Sequence, residues 1–168
     1  MIQKFIPLIV ITVLVSIIVV VFLSLAKNQN MIVIHEGNLE RLPIKMKLHK
    51  YQDSDCGMVI EDMEYTSQVV AKDGKTWFFH DHGGFINWLK DKSFKDEVVI
   101  WVMTRDTKEW INAEDAHYTL TEITPMGYGF GAYEKKTNEM VDYDTMSLKI
   151  LRGETMNNPQ IRKQLLGQ

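Results

Sequence analysis

The sequence predicts an α+β protein: an N-terminal transmembrane helix followed by a small soluble domain of two ββα(β)-type units. Three observations predict it. An uncharged apolar run opens the chain, alternating strand patterns follow in pairs around turn residues, and a helical pattern follows each pair.

The opening run covers Phe5–Ala26, 22 residues without a charge, interrupted only by Pro7, Thr12, Ser16 and Ser24. As a helix it would extend roughly 33 Å, enough for a hydrocarbon core of about 30 Å. A cleavable signal has a shorter apolar region of about 7–15 residues, so residues 1–27 read as an uncleaved signal anchor. Lys4 and Lys27 give only a slight charge bias across it. About 140 residues follow the run, and domains of that length translocate largely regardless of charge. The expectation is a single-pass protein of the cytoplasmic (inner) membrane with Asn28–Gln168 on the periplasmic side.

Composition narrows the class. With Lys+Arg 19, Asp+Glu 22 and a net charge of -3, no basic footprint for nucleic acid is present, nor any zinc-finger spacing. A single cysteine excludes a disulfide within the chain. In an oxidising compartment, a free thiol retained without a disulfide framework points to function.

The soluble part divides, on this reading, into a linker and edge segment (28–50), a first ββαβ unit (51–104), a second ββα unit (105–153) and a polar tail (154–168). Met31–Ile34 reads as an edge strand, and Lys45–Lys50 and Met58–Ile60 as strands. Thr66–Ala71 and Thr76–His80 form a hairpin around Asp73-Gly74. Asp81 caps a helix over Gly83–Lys90, where Phe85, Trp88 and Leu89 share a face, and Glu97–Met103 is a buried strand. In the second unit, Ala116–Thr121 and Tyr128–Glu134 alternate across the turn at Pro125-Met126-Gly127. Tyr143–Arg152 then suits a helix ended by Gly153, and Asn157-Asn158-Pro159 caps a last one over Gln160–Leu166.

The chemistry centres on Cys56 and Met58, which follow the polar stretch 51–55, expected to be a solvated loop. Residues at i and i+2 of an extended backbone point the same way, so a thiolate and a thioether can face one ion. Soft sulfur donors select Cu(I) and Zn over hard cations. The rival reading is that both are packing residues. His80 and His82, flanking Asp81 at a strand-to-helix junction, are a second candidate pair, with exposed histidines as the alternative. Met126, in a turn with little packing reason for an apolar side chain, is a third soft donor or an ordinary methionine. His117 reads as a satisfied or exposed histidine. No Cys-x-x-Cys is present, which disfavours thiol oxidoreductase chemistry.

These residues resemble a known family. The segment Cys56-Gly57-Met58-Val59-Ile60, with Gln68 and Asp73-Gly74 after it, resembles the C-x-M-x-I motif of the nitrous-oxide reductase accessory protein NosL family. Phe79-His80-Asp81-His82-Gly83, then 110–118 and Pro125-Met126-Gly127, continue the resemblance over roughly residues 50–135. It implies two small ββαβ units and a non-enzymatic copper chaperone that binds Cu(I). Its partners would be the copper ion, a membrane maturation complex and apo nitrous oxide reductase or a related cuproenzyme. Cys56 and Met58 match the family motif directly. Family members carry a lipoprotein cysteine where this chain keeps an apolar helix, and an Asp-Asp-x-Gly-Cys segment where His80-Asp81-His82-Gly83-Gly84 stands. For the third ligand, Met126 ranks first and His80 and His82 follow. The alternative function is a membrane-tethered assembly or interaction module without metal transfer.

Overall fold

The computed structural model describes residues 6–27 and 31–167. Lys4, Phe5, the first three residues of the expected linker (28–30) and Gln168 lie outside the described residues. The chain falls into two compact units, Met1–Met31 and Ile32–Gln168.

In the first unit, helix α1 runs Ile6–Lys27 and its described side chains are exposed. These side chains are described without a break only over residues 9–24, about 24 Å of helix at 1.5 Å per residue. Among the described residues, no helix is long and apolar enough to cross a membrane.

The second unit is built on a five-stranded antiparallel sheet in the order β1-β3-β2-β4-β5. Its strands are β1 (Ile34–His35), β2 (Ser67–Val70), β3 (Thr76–Phe79), β4 (Val99–Met103) and β5 (Trp110–Asn112). The central pair is the expected hairpin. Gly74 takes φ +82 at its turn, where Gly74 N–H donates to the Ala71 carbonyl. Both central strands are buried throughout because each face of the sheet is covered. Trp77 and Phe79 point into the main core, whereas Phe78, between them, packs with Tyr51 and Ile60 on the other face.

Helix α2 (His82–Leu89) follows β3 after the Asp81 cap, and α3 (Tyr143–Leu151) packs beside it. A two-stranded ribbon of β6 (His117–Tyr118) and β7 (Ala132–Tyr133) contributes Tyr118 and Ala132 to the same core. Helix α4 (Pro159–Leu165) starts at the Asn158 cap with Pro159 in its first turn.

Several expected strands are corrected. Residues 45–50 form no strand: the backbone at Ile44 instead pairs with the Gln68 side chain, which accepts from Ile44 N–H and donates to its carbonyl, both at 2.8 Å. Met58–Ile60 shrinks to one bridge between Gln52 and Val59. The long strands expected over 116–121 and 128–134 shrink to the two residues each of β6 and β7. Strand β5 has no counterpart among the expected elements, and it extends the sheet by pairing with β4. Its three residues are half-buried, too short and too mixed to show an alternation.

Candidate metal site

The cysteine lies in a turn that one buried carboxylate organises. Asp53 is 1% exposed, against the expectation of a solvated stretch. Its Oδ1 accepts the N–H groups of Asp55 (2.8 Å) and Cys56 (3.0 Å), an Asx-type turn. Gly57 closes the turn at φ +75, its N–H donating to the Asp53 carbonyl. Ser54 clips the turn to β3: its N–H donates to the Phe78 carbonyl at 2.7 Å, and its hydroxyl accepts Phe78 N–H. Two residues beyond Phe78, the strand delivers His80.

Asp53 Oδ2 accepts both the backbone N–H of His80 (2.9 Å) and its ring Nδ1 (2.6 Å). The exposed Cys56 thiol lies 3.9 Å from the same Nδ1. One donor atom each from Asp53, Cys56 and His80 therefore fall within 4.8 Å of one another. Burial pushes the Asp53 carboxyl up, but hydrogen bonds from the His80 ring and from the His80, Cys56 and Asp55 N–H groups outweigh it. The carboxyl ends below its usual range. Burial pushes the Cys56 thiol up, and the negative charges of Asp53 and Asp55 add to this against the opposing Met58 N–H. Cys56 is thus held as a thiol near neutrality rather than as an activated thiolate.

The other candidates fall in different places. Met58 is half exposed, and its carbonyl accepts Asp53 N–H across the turn. His82 is fully buried and stands outside the Asp53–Cys56–His80 group. Its Nδ1 pairs with Ser67 Oγ at 2.7 Å, while Nε2 has no hydrogen-bond partner among the described residues. Its neighbours are the rings of Tyr65 and Tyr118, and burial presses its pKa down to about 3. The two imidazoles of His80 and His82 thus go to different environments, and neither is exposed. His117 is half-buried in β6, its Nδ1 buried without a partner among the described residues.

Met126 sits in a turn fixed to the start of α2. Its N–H donates to Asp81 Oδ2 at 2.8 Å, while Asp81 Oδ1 caps α2 by accepting Gly83 N–H at 3.1 Å. The Tyr128 ring lies flat on Gly83: a Cβ there would meet Tyr128 Cγ at 2.0 Å. Gly83→Ala should therefore force the 124–128 turn off the helix. The expected cost is about 1–3 kcal/mol, read as a lowered urea midpoint with an unchanged slope.

The fold as a whole has a match among solved structures. The chain has a NosL-like fold. It is similar to the copper chaperone NosL from Shewanella denitrificans, at a TM-score of 0.51 and 16% sequence identity. The likeness covers 65% of this chain and 87% of that one. No family model matches the chain, and no curated protein matches it in sequence. At this identity the NosL likeness speaks for the fold, and what the site does rests on its residues.

Asp53 is the site residue that sequence reasoning missed. Its Asp-x-x-Cys spacing is the signal that could have found it, because an aspartate commonly accepts N–H groups two and three positions on.

Proposed function

We propose that the domain is an extracytoplasmic Cu(I) carrier, tethered to the membrane by the full apolar run at its N-terminus. The observation that carries this reading is the Cys56 thiol 3.9 Å from His80 Nδ1 on a turn open to solvent. A sulfur and a nitrogen bound to one ion at about 2.3 and 2.0 Å are separated by this distance at an angle of roughly 130°. Cys56 supplies the tight bond as its proton is displaced. Met58 supplies a neutral thioether from the same turn, and Met126 is a further donor. His82 ranks last, since its lone pair lies in the core.

Asp53 shapes how firmly the ion is held. It accepts a hydrogen bond from the His80 nitrogen that the ion would occupy, so ion and carboxylate compete for Nδ1. Loading would move the ring proton to Nε2 and leave Asp53 Oδ2 with the His80 backbone N–H alone. That competition favours a site that releases its ion to an incoming sulfur or imidazole. The recipient under this proposal is apo nitrous oxide reductase or a related cuproenzyme, reached through a membrane complex. Tethering raises the local concentration of the carrier beside such machinery.

The same geometry opposes a thiol enzyme. In a nucleophile–histidine–aspartate relay the carboxylate holds one ring nitrogen and the nucleophile faces the other. Here Asp53 and Cys56 both face Nδ1, and the thiol's raised pKa keeps it protonated.

Titration of the full-length chain in detergent with Cu(I) against a competing chelator tests the proposal. The expected result is about one ion per chain, abolished by Cys56→Ser and weakened by Met58→Ala. A chain that takes up no Cu(I), or binds it equally well as Cys56→Ser, contradicts it.

A further inference from the structure

We propose that Asp81 is a positioning residue that presents the Met126 thioether to the Cys56–His80 site, which draws a donor from the distant second half of the chain. The inference rests on the Cu(I) reading above and names the residue that would complete that site.

Asp81 is fully buried and immediately follows His80. Its two carboxylate oxygens have separate duties: Oδ1 caps α2 through Gly83 N–H, and Oδ2 holds Met126 N–H, 45 residues away. Thr124 adds a side-chain hydrogen bond to the same carboxylate. The result is that Met126 Sδ rests on the first turn of α2, 3.7 Å from the position a Cβ would take on Gly84, and that same position lies 3.9 Å from Phe79 Cδ1. Phe79 is the residue before His80. Tyr128 locks the other side of the turn, lying on Gly83 and accepting from Asn87 Nδ2 at 3.0 Å. A helix cap alone needs no second acceptor, and an asparagine caps as well as an aspartate. The second carboxylate oxygen at residue 81 serves the turn that carries Met126 rather than the cap.

Asp81→Asn separates the duties. The amide oxygen can keep the Gly83 cap, whereas its NH2 would face Met126 N–H, donor against donor. The expected effect is about a tenfold loss of Cu(I) affinity, the scale of one hydrogen bond to a charged acceptor. The readout is the methionine ε-methyl NMR spectrum of the full-length chain, selectively 13C-labelled, with and without Cu(I). Met126→Leu assigns the Met126 signal, and thermal unfolding of each variant checks that it folds.

In the wild type the Met126 methyl should shift on loading; in Asp81→Asn it should not. Met126→Leu should lose a similar affinity, and the double variant no more than either single one. An unmoved Met126 methyl in the wild type, an Asp81→Asn methyl that shifts as before, or fully additive losses would overturn the inference. If these occur while the wild type binds Cu(I) and Cys56→Ser does not, the carrier reading stands and this inference alone fails. A wild type that binds no Cu(I) overturns both.

Discussion

Replacing Asp53 by alanine should cost about 3 kcal/mol of stability, because four donors lose one buried acceptor. The donors are the His80 backbone and ring and the N–H groups of Asp55 and Cys56. The isosteric Asp53→Asn should recover little of this. With its NH2 toward Asp55 and Cys56 the amide faces two backbone donors, and with its NH2 toward His80 it still faces the backbone N–H, only the ring adapting by moving its proton to Nε2. Asp55→Asn is the control: Asp55 is exposed, and its loss should change stability by less than about 0.5 kcal/mol. Urea unfolding of the three variants checks the ranking. Equal effects at residues 53 and 55 would show that the buried carboxylate does not organise the turn.

Acid should destabilise the domain through His82 well before the carboxylates titrate. In the fold, burial lowers the His82 pKa from its ordinary 6.5 to about 3. Between those values the unfolded chain takes up a proton that the folded one refuses. The contribution is therefore fully present above about pH 6.5 and is lost progressively as the pH falls toward 3. At pH 5 the loss amounts to about 2 kcal/mol. His82→Gln cannot take up that proton, so it should flatten the stability difference between pH 7.5 and pH 5 by about this amount. A wild-type and a His82→Gln chain with the same pH dependence would contradict a neutral, buried His82. Cu(I) binding at pH 7.5 should survive the substitution, since the ring belongs to the core and not to the metal turn.

How far the molecule could be read in advance follows from which interactions are local. The β2–β3 hairpin, the Asp81 cap and the α3 boundary at Gly153 are written within a few residues, and the structure places them as expected. Residues 45–50 alternate like a strand, yet their neighbour Ile44 pairs with the Gln68 side chain, a contact across 24 positions that no local pattern records. The site divides in the same way. Cys56 and Met58 were visible as two soft donors two residues apart, read on an extended backbone where the structure has a turn with Gly57 at φ +75. His80 was visible as a histidine at the end of a strand. That Asp53 is buried, and that it brings His80 to Cys56, depends on the docking of that turn on β3 through Ser54. The separation of His80 from His82 has a similar cause. His80 follows the last residue of β3 and His82 is the first of α2, so the rings leave the backbone toward different surroundings.

Copper K-edge absorption of the full-length chain loaded with one equivalent of Cu(I) bears most directly on the central claim, that Cys56 and His80 grip a single soft ion. The account predicts a copper shell containing thiolate sulfur together with one imidazole nitrogen, the imidazole signature vanishing in His80→Ala and the protein-bound copper as a whole lost in Cys56→Ser. A shell of oxygen and nitrogen alone, or one that neither substitution alters, would contradict it.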